Sequence, residues 1–547
     1  MDDMQTNNFI DNIISCDLKN KKHDTIFTRF PPEPNGFLHL GHIKSIVLNF
    51  SLADKYQGLC NLRFDDTNPQ KEEQKYIDGI LRDLKYLGFK PNKICHSSDY
   101  FDKLYDSAHI LIAKNLAFVD EQTPEQIKEN RGTLTKPGVD SPYRNRPIKE
   151  NKELFNKMKN GDFANGKMVL RAKIDMASPN LNLRDPVIYR ILNVAHQRTG
   201  DKWHIYPMYD YTHCVSDAIE SITHSLCTLE FEDHRPLYNW FLKKLEFENK
   251  PRQIEFAALN LERTILSKRK LKQLVDEKIV SGWDDPRMPT IAALEKKGVP
   301  PHALINFCQM IGVTKKDSVI EYSALDGCIR DELNKKSPRA MAVINPIKLT
   351  ISNYLGNDIE IIRAKNYPQN ETTTLRDIPF GRELYIEACD VMENAPAKYR
   401  RFTIGREVRL KYAYYATCTD IIKNDEGTIT EIICTYDKKS KGGKTDDKRK
   451  VKGTIHWVSA KKSIDATLYL YEHLFNVVNP SISLQNNIKD YINPKSLQTI
   501  KNCKLEPNLS NPENIVYQFE RLGYFYADQS TKTPSFHRTT TLRKSSD

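Results

Sequence analysis

The sequence predicts a multidomain α/β protein that begins with a doubly wound parallel sheet and ends with two β-barrels. Three observations support this fold class. The chain has 547 residues, which at about 150 residues per domain is enough for several cores. Strand and helix patterns alternate at its beginning. Beyond residue 337, short alternating runs bounded by turn residues replace them.

Composition limits the class of protein further. Hydrophobic residues make up 39% and charged residues 28%, and no apolar run approaches the roughly 18 residues that a membrane helix needs. The start MDDMQTNNFIDNIIS lacks the basic region and apolar core of a signal peptide, so we expect a soluble, cytoplasmic protein. Eleven cysteines without a CxxC pair predict reduced thiols and no structural metal site. The net charge of +11 fits a polyanionic partner without requiring one.

The first predicted strand and helix flank a loop suited to phosphate. The run TIFTRF alternates as a strand does, PPEPNGFLHLGH follows it, and a helix is predicted from about His42. Such a loop receives backbone N–H groups and the positive end of the helix. His39 and His42 can also stabilise charge on a transferring phosphoryl group, although an HxxH pattern at a helix start more often caps or packs.

A second strand and helix, CNLRFDDTNP and KEEQKYIDGILRDLKYLGF, extend this pattern into a Rossmann-like, doubly wound sheet. Residues 1–99 are therefore predicted to hold the N-terminal segment and the first half of a nucleotide-binding fold. The pattern changes over residues 100–208, where MVLRAKI and PVIYRIL read as strands of an inserted module. Residues 209–263 resume the α/β pattern and are predicted to be the second half of the fold.

The rest of the chain divides into a connector and two barrels. Residues 264–337 hold the basic loop TILSKRK and a largely helical connector. Lys268 can neutralise a leaving pyrophosphate as a mobile point charge, although Ser-Lys-Arg-Lys alone indicates only a basic loop. Residues 338–547 contain runs such as EVRLKYAYYATCTDII and KGTIHWVSA, which predict two small barrels.

HLGH near the N-terminus and LSKR far along the chain resemble the paired HIGH and KMSKS signatures of class I aminoacyl-tRNA synthetases. RFPPEPNGFLHLGH, NLRFDDTNP, YPMYDYTHCVSDAIE, THSLCTLEF, GWDDPRMPT and SPRAMAV extend the resemblance to the glutaminyl-tRNA synthetase family, over about residues 8–540. It implies ATP-dependent ligation of L-glutamine to tRNA(Gln). A glutaminyl-adenylate passes its acyl group to the terminal 2′-hydroxyl, and AMP and pyrophosphate are released. Mg²⁺ is implied with the ATP phosphates; a monomer without an obligate protein partner is expected.

The resemblance implies an ATP site that the two signatures share, with catalytic roles for His39, His42 and Lys268. Because the family's reaction needs no protein nucleophile, its rate must come from positioning and electrostatics. The implied ATP-binding residues are Glu33, Pro34, Asn35, His39, Leu40, Gly41, His42, Ile43, Lys44, Ser45, Thr228, Leu259, Leu266, Ser267 and Lys268.

Five residues are implied in glutamine binding: Arg29, Asp65, Tyr209, His213 and Cys227. A carboxylate at position 65 can pair with the substrate ammonium, and the phenol at 209 can meet the carboxamide. Arg29 is a candidate for orienting carboxyl or carbonyl groups of the substrate. A glutamate pocket should offer a cation where this chain has Cys227, so the uncharged thiol favours glutamine.

Contacts with tRNA are implied in three regions. The module 100–208 resembles an acceptor-stem-binding domain, and Asp233 matches a residue that can test for a guanine amino group in the shallow minor groove. Residues 314–321 resemble a further contact. Arg339, Arg401 and Gln518 fall where the family reads unstacked anticodon bases. The implied residues of the middle region are Thr314, Lys315 and Lys316.

Two departures and three alternatives remain open. Leu266 replaces the family's usual Met, a volume-conserving change. Ala258 replaces a common Arg, which predicts weaker ATP binding unless neighbouring Lys and Arg residues compensate. A glutamate-tRNA ligase of the barrel-bearing type is the nearest alternative. A non-catalytic tRNA-binding protein is another, although binding alone needs none of the implied catalytic residues. A small-molecule nucleotidyltransferase would have no use for the barrels.

Overall fold

The computed structural model describes residues 8–480 and 487–543. The first seven residues, part of the segment that predicts a cytoplasmic protein, lie outside those ranges. The chain forms two compact units: the residues up to Asn260 with Cys308–Ile320, and Leu261–Phe307 with the residues from Glu321 onward. Within the described ranges every helix is too short or too polar to span a bilayer. No disulfide joins any of the eleven cysteines, all of which lie within those ranges.

The first unit opens with parallel strands that alternate with helices. Its first elements are α1 (Phe9–Lys19), β1 (Phe27–Phe30), α2 (Leu40–Lys55), β2 (Leu59–Phe64), α3 (Gln74–Leu87) and β3 (Ile94–His96). β1 pairs in parallel with β2, and β2 with β3. The helix predicted from about His42 begins two residues earlier, because His39 is its N-cap.

An antiparallel module interrupts this sheet. It contains α4 (Phe101–Ala113), β4 (Ala117–Asp120), α5 (Pro124–Asn130), α6 (Ile148–Asn160), β5 (Val169–Ala172), β6 (Val187–Ile191) and β7 (Ile205–Pro207). The four strands pair in chain order. Phe155, Leu170 and Trp203 are buried in the core that these elements share. The strands predicted at MVLRAKI and PVIYRIL are β5 and β6.

The parallel sheet then resumes. The elements are α7 (Tyr209–Ile219), β8 (His224–Thr228), α8 (Arg235–Lys244) and β9 (Arg252–Phe256); β10 (Asn260–Leu261) follows and belongs to a separate two-stranded sheet. β8 pairs in parallel with β9. The Thr223 N–H donates to the Phe27 carbonyl at 3.0 Å, which joins β8 to β1. The strand order is therefore β3-β2-β1-β8-β9, and ligands bind at the carboxyl ends of the strands where such an order reverses, here between β1 and β8.

Helices dominate the segment that follows. It contains α9 (Lys268–Asp276), α10 (Ile291–Lys296), α11 (Pro301–Ile311), β11 (Val319–Ile320) and α12 (Tyr322–Lys336). Four helices therefore account for most of residues 268–336. α9 packs Leu271 and Leu274 into a core with Leu474 and Phe475, all within the second unit.

Two seven-stranded sheets make up most of the second unit. The strands are β12 (Arg339–Ala340), β13 (Ala342–Val343), β14 (Pro346–Ile351), β15 (Glu360–Lys365), β16 (Leu375–Phe380), β17 (Glu383–Glu387), β18 (Glu407–Leu410), β19 (Tyr415–Lys423), β20 (Ile429–Asp437), β21 (Thr454–Ile455), β22 (Val458–Ser459), β23 (Ile464–Tyr471), β24 (Leu497–Leu505), β25 (Val516–Phe519), β26 (Gly523–Asp528) and β27 (Ser535–Thr541). β15 and β16 form a separate hairpin.

Both large sheets curl toward closure. One sheet has the order β21-β18-β19-β20-β14-β17-β22 and the other β12-β25-β26-β27-β23-β24-β13. In each, the two edge strands are consecutive in the chain: Met341 alone separates β12 from β13, and two residues separate β21 from β22. The edges therefore lie close together, as in a barrel. The predicted fold class, an α/β protein with two C-terminal barrels, is confirmed in this barrel-like form.

Candidate active site

The two histidines of HLGH cap the helix that they open. His39 is the N-cap of α2, and its Nδ1 accepts the Gly41 N–H at 3.2 Å. Nδ1 of His42 accepts the His39 N–H at 3.1 Å. Because Nδ1 accepts in both rings, the ring proton of each neutral histidine lies on Nε2. Capping therefore sets both rings as Nε2–H donors, and their centroids are only 3.9 Å apart.

The other predicted residues of this loop have different surroundings. Leu40 and Ile43 are core side chains, so only their backbone groups can meet a ligand. The Asn35 amide donates to the Glu33 carboxylate, and the backbone N–H of Asn35 to the Glu33 carbonyl at 2.9 Å. Pro34, the residue between them, accepts the backbone N–H of Glu73 at 3.2 Å. These bonds hold the PEPN turn in one shape.

Lys44 and Ser45 lie one turn further along α2. The Lys44 ammonium donates to the Ala257 carbonyl at 2.6 Å, and burial lowers the pKa of this lysine. Lys44 also lines a cavity of about 530 Å³ between α2 and residues 308–314. The Ser45 carbonyl accepts the Asn49 amide at 2.9 Å. The structure thus gives Lys44 a partner within the first unit.

A buried group of charges lies where the strand order reverses; its residues, here called the Arg29 cluster, are Arg29, Arg63, His213, Asp217, Glu220, Ser225, Cys227 and Tyr238. The side chains of Arg29 and Asp217 are fully buried, and Arg29 Nε donates to Asp217 Oδ1 at 3.0 Å. Arg63 reaches the same oxygen at 2.8 Å. Although burial opposes ionisation, the two guanidiniums hold the pKa of Asp217 well below its usual range. Glu220 Oε1 lies 3.3 Å from Arg63 Nη1, so two carboxylates face the two guanidiniums, and the positive charge of Arg29 is balanced inside the cluster.

Cys227 and His213 bring neutral groups to this cluster. Arg29 Nη2 lies 3.6 Å from the Cys227 sulfur, and His213 Nε2 lies 3.7 Å from it. Burial raises the pKa of the Cys227 thiol and lowers the pKa of His213 to about 3, so both are uncharged at neutral pH. The surroundings of Cys227 are therefore polar, and the guanidinium beside it is already paired.

Tyr209 connects this cluster to the neighbouring turn. It is the first residue of α7, and its ring stacks on His213 with centroids 5.2 Å apart and planes 12° apart. The same ring packs on Phe231 at 5.4 Å. Burial raises the pKa of Tyr209 well above its usual value, so the phenol stays protonated and can donate. The structure thus brings four predicted glutamine residues, Arg29, Tyr209, His213 and Cys227, into one chain of contacts.

Three buried acids follow β2. Burial raises the pKa of Asp65 to about 7, that of Asp66 to about 7 and that of Glu72 to about 8. Ser97 Oγ donates to Asp65 at 3.2 Å, and Ser98 donates to Asp66 through its N–H at 2.8 Å. Glu72 Oε2 is buried and has no hydrogen-bond partner among the described residues. Carboxylates whose charge is this costly suit a ligand that brings a positive charge.

The predicted basic loop of the second unit is half loop and half helix. α9 begins at Lys268, and the side chain of its N-cap Ser267 makes no capping bond. The first three residues of α9 are basic and its first turn holds no acid. Cations at the positive end of a helix are unfavourable, so this helix start favours an anion. Ile265 is buried, which anchors the loop, whereas Leu266 is half-buried.

The predicted anticodon residues all lie in the second unit. Arg339 and Gln518 are register partners in β12 and β25. Arg339 donates to the Ser337 carbonyl at 2.9 Å. Gln518 Oε1 is buried without a hydrogen-bond partner among the described residues, an uncommon state that a ligand donor would relieve. Arg401 lies 3.1 Å from Asp390.

The remaining predicted residues lie in the first unit. Thr228 Oγ1 donates to Glu230 at 2.7 Å, and Leu259 is buried. The carbonyl of Thr314 accepts the Ala257 N–H at 2.8 Å. The ammonium of Lys315 lies over the Phe9 ring at 5.3 Å, and Lys316 is exposed. Asp233 is exposed on the short 3₁₀ segment Leu229–His234.

Sequence reasoning missed Asp217, the partner of Arg29, and Arg63, which pairs with the same carboxylate. Arg63 stands inside the buried strand β2, and Asp217 stands four residues after His213 on α7. A charged residue within an otherwise apolar buried run indicates a buried partner. Tyr238 donates to Asp217 at 2.9 Å, a contact that no local pattern predicts.

Comparison with known proteins establishes the family. Residues 25–335 match the family model for tRNA synthetases class I (E and Q), catalytic domain. Residues 337–437 and 454–528 match two models for the anti-codon binding domain of the same synthetases. The chain therefore belongs to the class I tRNA synthetases for glutamate and glutamine, and the predicted family is confirmed.

Individual relatives narrow the comparison. A glutamine–tRNA ligase of Vibrio cholerae serotype O1 is 54% identical over 544 residues, which cover 98% of this chain and 97% of that protein. A glutamine–tRNA ligase of Clostridium kluyveri is 52% identical over 528 residues, which cover 96% of this chain and 95% of that protein. A solved glutamate tRNA ligase from Elizabethkingia meningosepticum is 20% identical over 57% of this chain and 70% of its own, with a TM-score of 0.43.

Proposed function

We propose that this protein joins L-glutamine to tRNA(Gln), consuming ATP and releasing AMP and pyrophosphate. The observation that carries the choice of amino acid is the Arg29 cluster. The family of this protein comprises synthetases for glutamate and for glutamine. The side chains of these two amino acids differ by one charge. The relatives that match nearly the whole chain are named glutamine–tRNA ligases.

The electrostatics around Cys227 favour the neutral side chain. A glutamate carboxylate placed there would lose its hydration beside a guanidinium whose charge Asp217 and Glu220 of the cluster already offset together with that of Arg63. Burying an unpaired carboxylate is far more costly than burying a hydrogen-bonded amide. The carboxamide of glutamine can accept from the Tyr209 phenol, and His213 offers a neutral ring nearby. Once its carboxyl group is ionised, Asp65 pairs with the ammonium group of the substrate.

Activation follows from positioning and charge. The glutamine carboxylate attacks the α-phosphorus of ATP, pyrophosphate leaves, and the terminal 2′-hydroxyl of the tRNA then captures the acyl group. His39 and His42 supply Nε2–H donors to the phosphates, set in that tautomer by their capping bonds. Lys268, at the helix start that favours an anion, neutralises the pyrophosphate. Mg²⁺ enters with ATP as the counter-ion of its phosphates.

The tRNA is bound by groups of both units. Arg339 and Gln518 read unstacked anticodon bases, and the unpartnered Gln518 oxygen supplies an acceptor. Arg401 and the segment Thr314–Lys316 contribute further contacts. Asp233 tests the acceptor stem for a guanine amino group through the minor groove.

Charging assays test this function. Purified protein is given ATP, Mg²⁺ and tRNA(Gln) or tRNA(Glu), with radiolabelled glutamine or glutamate, and a reaction without tRNA is the control. Charging of tRNA(Gln) with glutamine alone is the expected result. Charging of tRNA(Glu) with glutamate would instead identify a glutamate ligase. Binding of tRNA with no AMP formed would identify a non-catalytic RNA-binding protein.

A further inference from the structure

Two asparagine side chains of the inserted module hold the backbone carbonyl of Asp233. Asn180 Nδ2 donates to this oxygen at 2.7 Å, and Asn182 Nδ2 donates to it at 3.1 Å. A carbonyl oxygen has two lone pairs, so the two amides use its full accepting capacity. We refer to Asn180 and Asn182 together as the asparagine clamp.

The orientation of the Asn180 amide is fixed by a second bond. Its Oδ1 accepts the backbone N–H of Asn182 at 2.9 Å, which caps the short 3₁₀ helix Leu181–Leu183. Only one of the two amide orientations satisfies both the cap and the bond to Asp233. The clamp is therefore built into the loop that carries it.

Hydrogen bonds of Arg184 and Asp185 fix the loop that contains Asn180 and Asn182. Arg184 is 3% exposed, and its guanidinium donates to the Ser178 carbonyl at 2.6 Å and to the carbonyls of Arg131, Thr133 and Lys136 at 2.8 to 2.9 Å. Asp185 accepts the Ile174 N–H at 2.7 Å. A loop with this many internal bonds provides a rigid support.

The turn that carries Asp233 is also held on its other side. The Gln253 amide donates to the Phe231 carbonyl at 2.9 Å. His234 Nδ1 lies 2.7 Å from Asp210 Oδ1. These bonds fix residues on both sides of Asp233. Neither of them involves the backbone carbonyl of Asp233. The Asp233 side chain is exposed.

We propose that Asn180 and Asn182 are positioning residues for acceptor-stem recognition, acting through Asp233. Bonds from two directions fix the plane of the Asp233 peptide and hence the direction in which its carboxylate leaves the backbone. Reading one amino group in the minor groove demands that direction, because hydrogen bonds weaken steeply with misalignment. The inference rests on the proposed function, in which Asp233 reads the acceptor stem.

Guanosine-to-inosine replacement in the tRNA isolates this reading. Inosine lacks only the exocyclic amino group, so a transcript with inosine in place of a guanosine in the first three acceptor base pairs removes one donor. We expect the wild-type kcat/KM for charging to fall about tenfold at the guanosine that Asp233 reads. Asp233→Ala should abolish this penalty. The double variant Asn180→Ala/Asn182→Ala should reduce it to below about threefold.

The penalty is the kcat/KM for the guanosine-containing transcript divided by that for the inosine-containing transcript, both measured on one enzyme preparation. A loss of folded protein lowers both values equally and so cancels. Asn193→Ala is the matched control, since its amide donates to the Phe163 carbonyl at 3.0 Å in the same module without touching Asp233. It should keep the full penalty. A merely structural clamp would lower the thermal midpoint of the double variant and leave the penalty intact, which would overturn the inference.

The failure of the inference and that of the proposed function are distinguishable. An unchanged penalty in the double variant, with none in Asp233→Ala, refutes the clamp and leaves the role of Asp233 standing. An unchanged penalty in Asp233→Ala refutes the acceptor-stem part of the proposed function and the clamp with it. A reduced penalty in Asn193→Ala would show that any weakening of the module suffices, which also overturns the clamp.

Discussion

Arg29 and Asp217 form an ion pair whose two side chains are completely buried, with Nε 3.0 Å from Oδ1. They come from β1 and α7, on opposite sides of the inserted module in the sequence. The pair hides the charge of a guanidinium that lies 3.6 Å from Cys227. An arginine beside Cys227 is therefore compatible with the proposed pocket for an uncharged side chain.

Removing Asp217 should expose that charge. In Asp217→Asn, Arg29 and Arg63 lose their shared carboxylate, and we expect discrimination against glutamate to fall at least about tenfold and stability to fall by about 3–5 kcal/mol. The measurements are kcat/KM for both amino acids and chemical denaturation. Asp210→Asn, on the same helix but half-exposed, is the control and should keep the discrimination. An unchanged ratio in Asp217→Asn would contradict the charge-balancing role.

Glutamine binding should weaken as the pH falls. Asp65 has a pKa of about 7, so it is ionised above pH 7 and protonated below it, and only the ionised form pairs with the ammonium. We expect the KM for glutamine to rise between pH 8 and pH 6. In Asp65→Asn it should be high and nearly flat over the same range. The KM for ATP is the internal control, and a flat KM for glutamine in the wild type would rule out this role.

Glu72 should make the protein less stable as the pH rises. Its pKa is raised to about 8 by burial, so between pH 5 and pH 8 the folded protein keeps a proton that the unfolded chain releases. Stability then falls as the pH rises through this window. Glu72→Gln should therefore raise the thermal midpoint more at pH 8.5 than at pH 6, as measured by calorimetry. Glu73→Gln, which replaces an exposed carboxylate next in the chain, is the matched control.

Lys268 should act on activation and leave tRNA binding intact. We expect Lys268→Ala to slow glutamine-dependent pyrophosphate formation by about tenfold or more while the Kd for tRNA stays within about twofold, because the ammonium acts on the leaving group. Lys272→Ala, one turn later in α9 and paired with Asp276, is the control. Strongly weakened tRNA binding with normal activation would assign Lys268 to the RNA instead.

Ala258 offers a gain-of-binding test. It is exposed just after β9, where the family commonly has Arg. Ala258→Arg should lower the KM for ATP, because a guanidinium near the nucleotide attracts its phosphates. Ala258→Gln adds similar length without charge and should change the KM little. If the two variants behave alike, charge at this position is irrelevant.

Local patterns predicted many of the helices and strands, but they did not predict which distant residues form pairs. The alternation in TIFTRF and the histidine spacing in HLGH are properties of a few neighbouring residues; β1 lies within the first segment, and α2 begins within the second, two residues before the predicted start. The Arg29–Asp217 pair joins residues 188 positions apart. Only the packing of the sheet determines such a partner. The asparagine clamp is equally non-local.

Lys44 shows a second limit of motif position. It lies five residues after His39, which is about 140° around a helix of 3.6 residues per turn. Adjacent positions of one motif can therefore face different surroundings. Its ammonium bonds to the Ala257 carbonyl in the structure, while its predicted contact with ATP stays a prediction.

The strand pairing of the sheet that contains β12 and β25 determines when this sheet can form during synthesis. β12 is paired with β25 through Arg339 and Gln518, so one strand emerges from the ribosome long before the other. Contacts between distant segments form late because they must first close a long loop of chain. When the nascent chain has been synthesised only as far as β24, β12 therefore still lacks its partner strand β25. The pair proposed to read the anticodon is assembled only after the ribosome has added the 179 residues that follow Arg339 up to Gln518.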